Sequence, residues 1–150
     1  MEVTMDNAEA AARRIYEEWH AGFNEGNLDR VMAVYAENAV IETPTVLSMY
    51  PGAEEGILRG RDKIRELFAR NLENLKGTFS GLYRNGLFFS NGKYLTWEYP
   101  RVTPTSTQVD LFESMDIADG LCVYHRVYWG WRGMKALIEN RKKLLAERAK

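Results

Sequence analysis

The chain has 150 residues, of which 45% are hydrophobic, so it is long enough for one domain with a buried core and too short for two ordinary ones. Its 20 basic and 21 acidic residues leave a formal net charge of −1, which argues against nucleic acid and against an anionic membrane as partners. The single cysteine, Cys122, excludes an intramolecular disulfide and a cysteine cluster for a metal ion.

The N-terminal segment MEVTMDNAEAAARR begins acidic and lacks the apolar core that a signal peptide needs. No run of about 18 apolar residues occurs anywhere in the chain. Together with the lone cysteine, these features lead us to expect a cytoplasmic protein without a membrane anchor. We expect a single domain over residues 1–150.

Apolar residues recur three times at the spacing of an amphipathic helix in the first half of the chain. The first pattern ends near Gly26, and Asn27 is a suitable N-cap for a short second helix that reaches Tyr35. The third helix is predicted from Arg61 to a C-cap at 76–77. Between the second and third helices, 39–43 predicts a short strand, followed by a long loop over 44–60. The apolar residues of this loop would either cover a cavity or pack at the edge of the core.

Four strand-like segments follow, separated by turn sequences. They are TFSGLYRNGLFFS (78–90), KYLTWEY (93–99), TQVDLFESMDI (107–117) and LCVYHRVYWGW (121–131). Consecutive strands with such turns predict an antiparallel meander. The tail from Gly133 to Lys150 predicts a final helix, whose basic residues, including Arg141 and Arg148, are expected to form a solvated face.

The last predicted strand has the densest aromatic content in the chain and contains one of its two histidines. Residues two apart on a strand share a face, so His125, Val127 and Trp129 are predicted to lie together, with Cys122 on the opposite face. The antiparallel neighbour then offers Glu113 to the side of His125. We therefore predict a pocket wall in which a carboxyl group and an imidazole converge among apolar residues.

The opposite face of the sheet is also predicted to be aromatic. Its residues would be Trp97, Tyr99, Phe112, Tyr124 and Tyr128. Monomeric proteins rarely leave such a patch uncovered, so we expect either a homodimer through this face or a cover formed by the C-terminal helix.

Three segments are specific enough to suggest a family. WHAGFNEGNLDRVMAVYAENAVIETP (19–44) is followed by LRGRDKIRELF (58–68), and the last strand contains VYW. Together they resemble the SnoaL-like and steroid delta-isomerase branch of the nuclear transport factor 2-like superfamily. The resemblance implies an α+β fold, in which a curved antiparallel sheet forms a cone-shaped half-barrel around the N-terminal helices and an apolar cavity, here followed by a C-terminal helix. It also implies a protein that is often dimeric.

Residue by residue, the steroid isomerase pattern is only partly present. Its base falls on Thr43, which cannot act as a base near neutral pH, and the tyrosine of its first helix falls on Trp19, whose indole N–H is not acidic. Its second active-site tyrosine is retained as Tyr35, and the acid of its penultimate strand falls on Glu113. The family pattern further implies that Glu98, on the preceding strand, faces inward.

The candidate site follows from these interpretations. His125 would act as base or proton shuttle, Glu113 would orient it or donate a proton, and Tyr35 would hydrogen-bond a developing oxyanion. The residues expected to contact substrate are Trp19, Thr43, Phe68, Glu98, Val127 and Trp129. A buried Glu–His pair is equally compatible with a satisfied polar contact in a core. His20, beside two glutamates on the first helix, is expected at the surface.

Two classes of function follow. The first is a cofactor-free enzyme that uses acid–base chemistry on a hydrophobic small molecule, such as a polyketide, terpenoid or steroid-like compound. Isomerases, cyclases, dehydratases and epoxide hydrolases are the types that the resemblance implies. The second is a non-catalytic module that uses the same cavity for ligand binding or assembly. A metal site is not expected, because one histidine and two glutamates provide too few convergent ligands.

Overall fold

A computed structural model describes residues 5–75, 86–102 and 108–150 of the chain. Within these ranges the chain forms five helices and six strands. The helices are α1 (Met5–Glu25), α2 (Leu28–Met32), α3 (Thr45–Met49), α4 (Arg61–Leu75) and α5 (Trp131–Arg148). The strands are β1 (Tyr35–Glu42), β2 (Ile57–Arg59), β3 (Phe89–Ser90), β4 (Tyr94–Val102), β5 (Gln108–Ala118) and β6 (Leu121–Trp129).

The six strands belong to one sheet, in the order β2-β1-β6-β5-β4-β3. Neighbouring strands are antiparallel except β1 and β6, which are parallel. Parallel pairing needs a long connection, and the elements between β1 and β6 supply it. The sheet is curved and does not close on itself. The predicted α+β fold, with N-terminal helices, a curved sheet and a C-terminal helix, is confirmed.

The core lies between the sheet and the N-terminal helices. α1 presents one apolar face to it at the predicted helical spacing, and the buried residues of that face are Ala12, Ile15, Tyr16, Trp19 and Phe23. A fully buried Ile or Phe side chain contributes about 1.5–3 kcal/mol to folding, so this face holds α1 firmly against the sheet. Trp19 is thereby fixed at the centre of the molecule.

The second helix is shorter than predicted. Asn27 caps it as expected, because its side-chain Oδ1 accepts a hydrogen bond from the Arg30 N–H at 3.1 Å. The helix ends at Met32 instead of extending to Tyr35. The Val34 carbonyl accepts a hydrogen bond from the Cys122 N–H at 2.8 Å, so pairing with β6 draws the chain into the sheet. Tyr35 therefore begins β1 and is fully buried.

The alternation of β6 is interrupted by a β-bulge. Asp116 lies opposite Tyr124 while Ile117 lies opposite Cys122, so Val123 is an extra residue in β6. Because of the bulge, Cys122 and His125 both point into the core and are buried. The prediction that Cys122 faces outward is therefore wrong. Burial raises the pKa of its thiol above the ordinary value.

The predicted orientation of β4 is also wrong. Leu95, Trp97 and Tyr99 are buried, whereas Glu98 lies opposite Phe112 on the other face of the sheet. A one-residue shift in orientation exchanges the two faces of a strand, and burying three large apolar side chains is far more favourable than burying a carboxylate. Glu98 therefore does not face the cavity, contrary to the pattern implied by the resemblance.

The aromatic patch predicted on the outer face is reduced accordingly. Trp97 and Tyr99 are absent from it, and its exposed members are Phe112 (38% exposed) and Tyr128 (54% exposed). Their ring centroids are 6.2 Å apart. The homodimer remains a prediction, and it now rests on a smaller patch.

The segment predicted as a long loop contains α3 and β2, and α5 is bound to it. The Arg141 guanidinium donates hydrogen bonds to the carbonyl oxygens of Leu47, Tyr50 and Ala53 at 2.9, 3.0 and 2.8 Å. Arg148 adds a hydrogen bond to a fourth carbonyl of this segment at 3.1 Å. These two arginines do not belong to a purely solvated face, as the sequence predicted, because they attach the C-terminal helix to the segment that follows β1.

Two of the predicted features fall outside the described residues: the C-cap at 76–77 and the first part of the strand predicted over 78–90. None of the helices in the described part of the chain is long and apolar enough to cross a membrane.

Candidate functional site

A buried hydrogen-bond chain runs through the core from α1 to β4. The Trp19 indole Nε1–H donates to the Tyr35 hydroxyl at 3.1 Å, and that hydroxyl lies 2.8 Å from His125 Nδ1. His125 Nε2 lies 2.5 Å from Glu113 Oε2. The Tyr99 hydroxyl donates to the other carboxyl oxygen of Glu113, Oε1, at 2.7 Å. The five side chains come from α1, β1, β6, β5 and β4, so only the folded sheet brings them together.

The hydrogen bonds from both ends of this buried hydrogen-bond chain are directed toward Glu113. Trp19 can only donate, so the Tyr35 oxygen accepts from it. We assign the Tyr35 hydroxyl as the donor to His125 Nδ1, because this assignment gives its proton an acceptor. With Nδ1 accepting, the remaining ring proton is on Nε2 and is donated to the carboxylate of Glu113. With this assignment, each of the five side chains has a hydrogen-bond partner when His125 is drawn as the neutral ring and Glu113 as the carboxylate.

Burial strengthens the hydrogen bonds of this buried hydrogen-bond chain and keeps the Tyr35 hydroxyl protonated. Glu113 and His125 are only 2% and 1% exposed, so their hydrogen bonds operate in a medium with little water. Burial raises the pKa of Tyr35 well above 10, so its hydroxyl keeps the proton that it donates to His125. A buried carboxylate is stable only when hydrogen bonds replace its lost hydration, and the donors from Tyr99 and His125 supply them.

A small cavity, called here the inner cavity, lies against this chain. Its volume is about 60 Å³. Glu113, His125 and Tyr99 contribute the polar part of its wall, together with Thr43, Thr45 and Asn71. The apolar part consists of Trp19, Phe23, Ile41, Leu67, Phe68, Leu111, Val127 and Trp129. A carboxylate and an imidazole therefore line a largely apolar cavity, and this arrangement is suited to proton transfer.

Most of the residues predicted for the site lie together. Trp19, Thr43, Phe68, Val127 and Trp129 all line the inner cavity, as do Glu113 and His125. Tyr35 does not line it, and it contacts the wall through His125, Trp19 and Phe68. Glu98 is absent from the wall as well, since it lies on the opposite face of β4.

Sequence reasoning missed two residues near the site. Tyr99 was assigned to the outer face, yet its hydroxyl bonds Glu113 in the cavity wall. The apolar alternation of β4 through Trp97 would have found it. His20 was expected at the surface, but its ring packs against the rings of Tyr16 at 4.1 Å and Trp97 at 5.3 Å between centroids.

The partly buried position of His20 makes a pH dependence of stability expected. Burial lowers the pKa of His20 to about 4, against the opposing effects of its hydrogen bond to the Tyr16 carbonyl and of the nearby Glu113 charge. The unfolded chain binds a proton near pH 6.5, whereas the folded protein does so only near pH 4. Folding stability should therefore fall as the pH falls through this window, by up to about 3 kcal/mol in total. Urea denaturation between pH 7 and 4.5 measures this loss.

The matched variant for this measurement is His20→Leu, which removes the titrating group and keeps an apolar side chain of similar size. Its stability should depend less steeply on pH over the same window. Equal pH slopes in the two proteins would show that His20 does not cause the loss.

The family model described as a SnoaL-like domain matches residues 16–125 of the chain. The chain belongs to the SnoaL-like domain family. The match includes all of β1, β4 and β5, the part of α1 from Tyr16 onward and the part of β6 up to His125. It therefore contains all five side chains of the buried hydrogen-bond chain. No curated protein matches the sequence significantly.

Solved structures similar to this SnoaL-like domain share its fold at low sequence identity. An NTF2-like protein from Anabaena variabilis is 19% identical, with a TM-score of 0.66 over 89% of this chain and 96% of that one. SalBIII, an epoxide hydrolase/cyclase-like enzyme with a role in pyran ring formation in the polyether salinomycin, is 22% identical, with a TM-score of 0.61 over 83% and 95%. TerC, co-crystallised with polyporic acid, is 16% identical, with a TM-score of 0.63 over 86% and 98%.

Proposed function

We propose that this SnoaL-like domain is an acid–base enzyme that acts on a hydrophobic small molecule by proton transfer. The observation that carries the proposal is the buried Glu113 carboxylate in the wall of the inner cavity. Each of its oxygens accepts one hydrogen bond, from Tyr99 or from His125, and an ionised carboxylate offers about four lone-pair sites. Lone pairs therefore remain for a proton taken from a bound molecule.

The geometry favours Glu113 over His125 as the group that touches the substrate. Both ring nitrogens of His125 are already engaged, Nδ1 by Tyr35 and Nε2 by Glu113. His125 is then a positioning residue that holds the carboxylate and stabilises its charge. These proposed roles differ from those that the sequence suggested, in which His125 was the base or proton shuttle and Glu113 oriented it or donated a proton.

Tyr99 is proposed as the second group that contacts substrate. In the resting state its proton is directed at Glu113. Once Glu113 has taken a proton from the substrate, it no longer needs that hydrogen bond, and the Tyr99 hydroxyl can donate to a developing oxyanion. In an isomerisation, the proton on Glu113 returns to a different atom of the substrate. In a ring closure onto an epoxide, Tyr99 protonates the epoxide oxygen and recovers its proton from Glu113.

The similar structures support the class of reaction. SalBIII is described as an epoxide hydrolase/cyclase-like enzyme, and TerC was crystallised with polyporic acid, so other proteins of this fold act on or bind small organic molecules. Isomerase, cyclase, dehydratase and epoxide hydrolase reactions all need the proton transfers that Glu113 and Tyr99 would provide. Polyketides, terpenoids and steroid-like compounds are the proposed substrate classes, because the apolar wall of the inner cavity suits a hydrophobic end of such a molecule.

A second function is a binding module that uses the same cavity without catalysis. The observation in its favour is the complete satisfaction of the buried hydrogen-bond chain, which needs no ligand to be stable. The two functions are separated by incubating the protein with a panel of hydroxy-epoxides and unsaturated ketones and following each compound by mass spectrometry. Turnover by the natural chain supports the enzyme. Ligands that raise the melting temperature without being converted support the binding module.

A further inference from the structure

A second and larger depression, called here the outer groove, lies between α5 and the segment that follows β1. Its volume is about 700 Å³, within the range of about 300–1,000 Å³ that is usual for small-molecule sites. Much of its wall is apolar, formed by Leu47, Ile57, Val127, Met134, Leu137 and Ile138. Arg141 holds two sides of the groove together, since it belongs to α5 and binds carbonyl oxygens of the segment opposite.

The outer groove adjoins the inner cavity. Thr43, Val127 and Trp129 line both, so these three side chains form the partition between them. The inner cavity, at about 60 Å³, is much smaller than the outer groove and than the roughly 300–1,000 Å³ usual for small-molecule sites. A hydrophobic substrate larger than this can place only one end beside Glu113, and the rest of it must lie elsewhere.

The charges of the outer groove are predominantly positive. Arg126, Arg141 and Lys142 line it, opposed by the single carboxylate of Glu42. Arg126 is paired with Asp116 at 2.9 Å, and Glu42 accepts a hydrogen bond from the Tyr124 hydroxyl. Arg141 is bonded to uncharged carbonyl oxygens, so its positive charge is not neutralised by them. Lys142 is exposed at the rim, and no salt bridge to it is found within the described ranges.

We propose that the outer groove binds the chain of an elongated aliphatic monocarboxylate, with its carboxylate near Lys142 and Arg141. The uncharged end of the molecule points through the partition toward Glu113. This direction follows from charge, because the ionised Glu113 repels a second carboxylate in the inner cavity whereas the groove attracts one. The inference rests on the proposed function only for the reaction at the uncharged end; binding in the groove is independent of it.

The partition adds a requirement on the chemistry of the ligand. The indole Nε1 of Trp129 is buried and has no hydrogen-bond partner within the described residues. An unsatisfied buried donor is unfavourable, and an oxygen atom of a ligand that crosses the partition would satisfy it. The ligand is therefore an oxygenated aliphatic acid, with a hydroxyl, carbonyl or epoxide group near the end that enters the inner cavity.

Simple probes test the groove without knowledge of the natural ligand. Decanoate, hexanoate and decan-1-ol are titrated into the full chain, and binding is followed by chemical shifts of backbone amides. Decanoate should shift the amides of Leu47, Met134 and Ile138. It should bind at least about tenfold more tightly than hexanoate, because each buried methylene adds up to about fourfold in affinity. It should also bind more tightly than decan-1-ol, which lacks the charge.

Two variants test the assignment within the groove. Lys142→Glu should lower the affinity for decanoate by about three- to tenfold and change the affinity for decan-1-ol by no more than about twofold. Lys143→Glu is the matched control, since the neighbouring lysine is exposed on α5 and does not line the groove. Ile138→Trp, at a half-exposed helix position, should fill the groove and weaken both long probes. Equal losses from the two lysine variants, or shifts confined to other parts of the protein, would overturn the proposal.

The test of the outer groove can fail or succeed independently of the test of the proposed catalytic function. Decanoate binding that is unchanged in Glu113→Gln, in a protein that converts no compound, would remove the catalytic proposal and leave the groove assignment intact. Turnover of a small uncharged substrate by a protein that binds none of the long probes would do the opposite.

Discussion

Replacing Glu113 by glutamine is expected to lower the turnover of any substrate of this domain by about 10²–10⁴-fold. The amide has nearly the shape of the carboxylate, so it fits the same space against Tyr99 and His125. It cannot take up a proton near neutral pH, however, and the proton-transfer step loses its acceptor. Steady-state rates and ligand affinities, measured separately, check this expectation, and affinity should change by no more than about threefold.

Glu98→Gln is the matched control for that measurement. It makes the same chemical change on the strand next to Glu113, but on the face of the sheet that does not border the inner cavity. Turnover by this variant should stay within about twofold of the natural chain. If Glu113→Gln keeps full turnover, or if both variants lose it equally, Glu113 is not the base.

Replacing His125 by leucine should lower the free energy of unfolding by about 3–5 kcal/mol. The substitution leaves the buried Glu113 carboxylate with the Tyr99 hydroxyl as its remaining hydrogen-bond donor, and it also removes the acceptor for the Tyr35 proton. A buried charge that loses a partner is far more costly than a missing surface contact. Urea denaturation at neutral pH measures the loss.

The cause is identified by a double-mutant cycle. In the presence of Glu113→Gln there is no buried charge to leave unpaired, so His125→Leu should cost at least about 1 kcal/mol less than it does alone. Arg126→Leu supplies a contrast at a half-exposed pair with Asp116, where the expected loss is about 0–1 kcal/mol. Additive losses in the cycle, within about 0.5 kcal/mol, would show that the two side chains are not energetically coupled.

The longer helices α1, α4 and α5 were predictable because they depend on local patterns, whereas α3 lies in the segment predicted as a loop. The apolar spacing of α1 places Trp19 on the buried face whatever the helix packs against, and the Asn27 side chain caps α2 through a contact only three residues long. Alternation on β5 and β6 was enough to bring Glu113 and His125 to one face, where the structure places them 2.5 Å apart. Family resemblance supplied the curved sheet that the patterns alone do not specify.

The orientation of β4 shows where such reasoning failed. Its two faces carry either large aromatic side chains or polar ones, and the family pattern favoured the polar face for the cavity. The free energy of burying Trp97 and Tyr99 decided the outcome, so that Tyr99 reached Glu113 and Glu98 did not. The hydrophobic alternation of the strand itself was the better guide.

The sequence by itself determined the helical faces, the cap of α2 and the shared face of Glu113 and His125, because each of these depends on residues close together in the chain or on the period of one strand. Only the tertiary structure decided the bulge at Val123, the start of β1 at Tyr35 and the attachment of α5 through Arg141. Each of these depends on partners far away in sequence. The bulge depends on how β6 pairs with its two neighbouring strands, and the start of β1 depends on the hydrogen bond between the Val34 carbonyl and β6. The attachment of α5 depends on three carbonyl oxygens nearly a hundred residues before Arg141. A periodic pattern carries no information about such partners, since they are chosen by the packing of the whole chain.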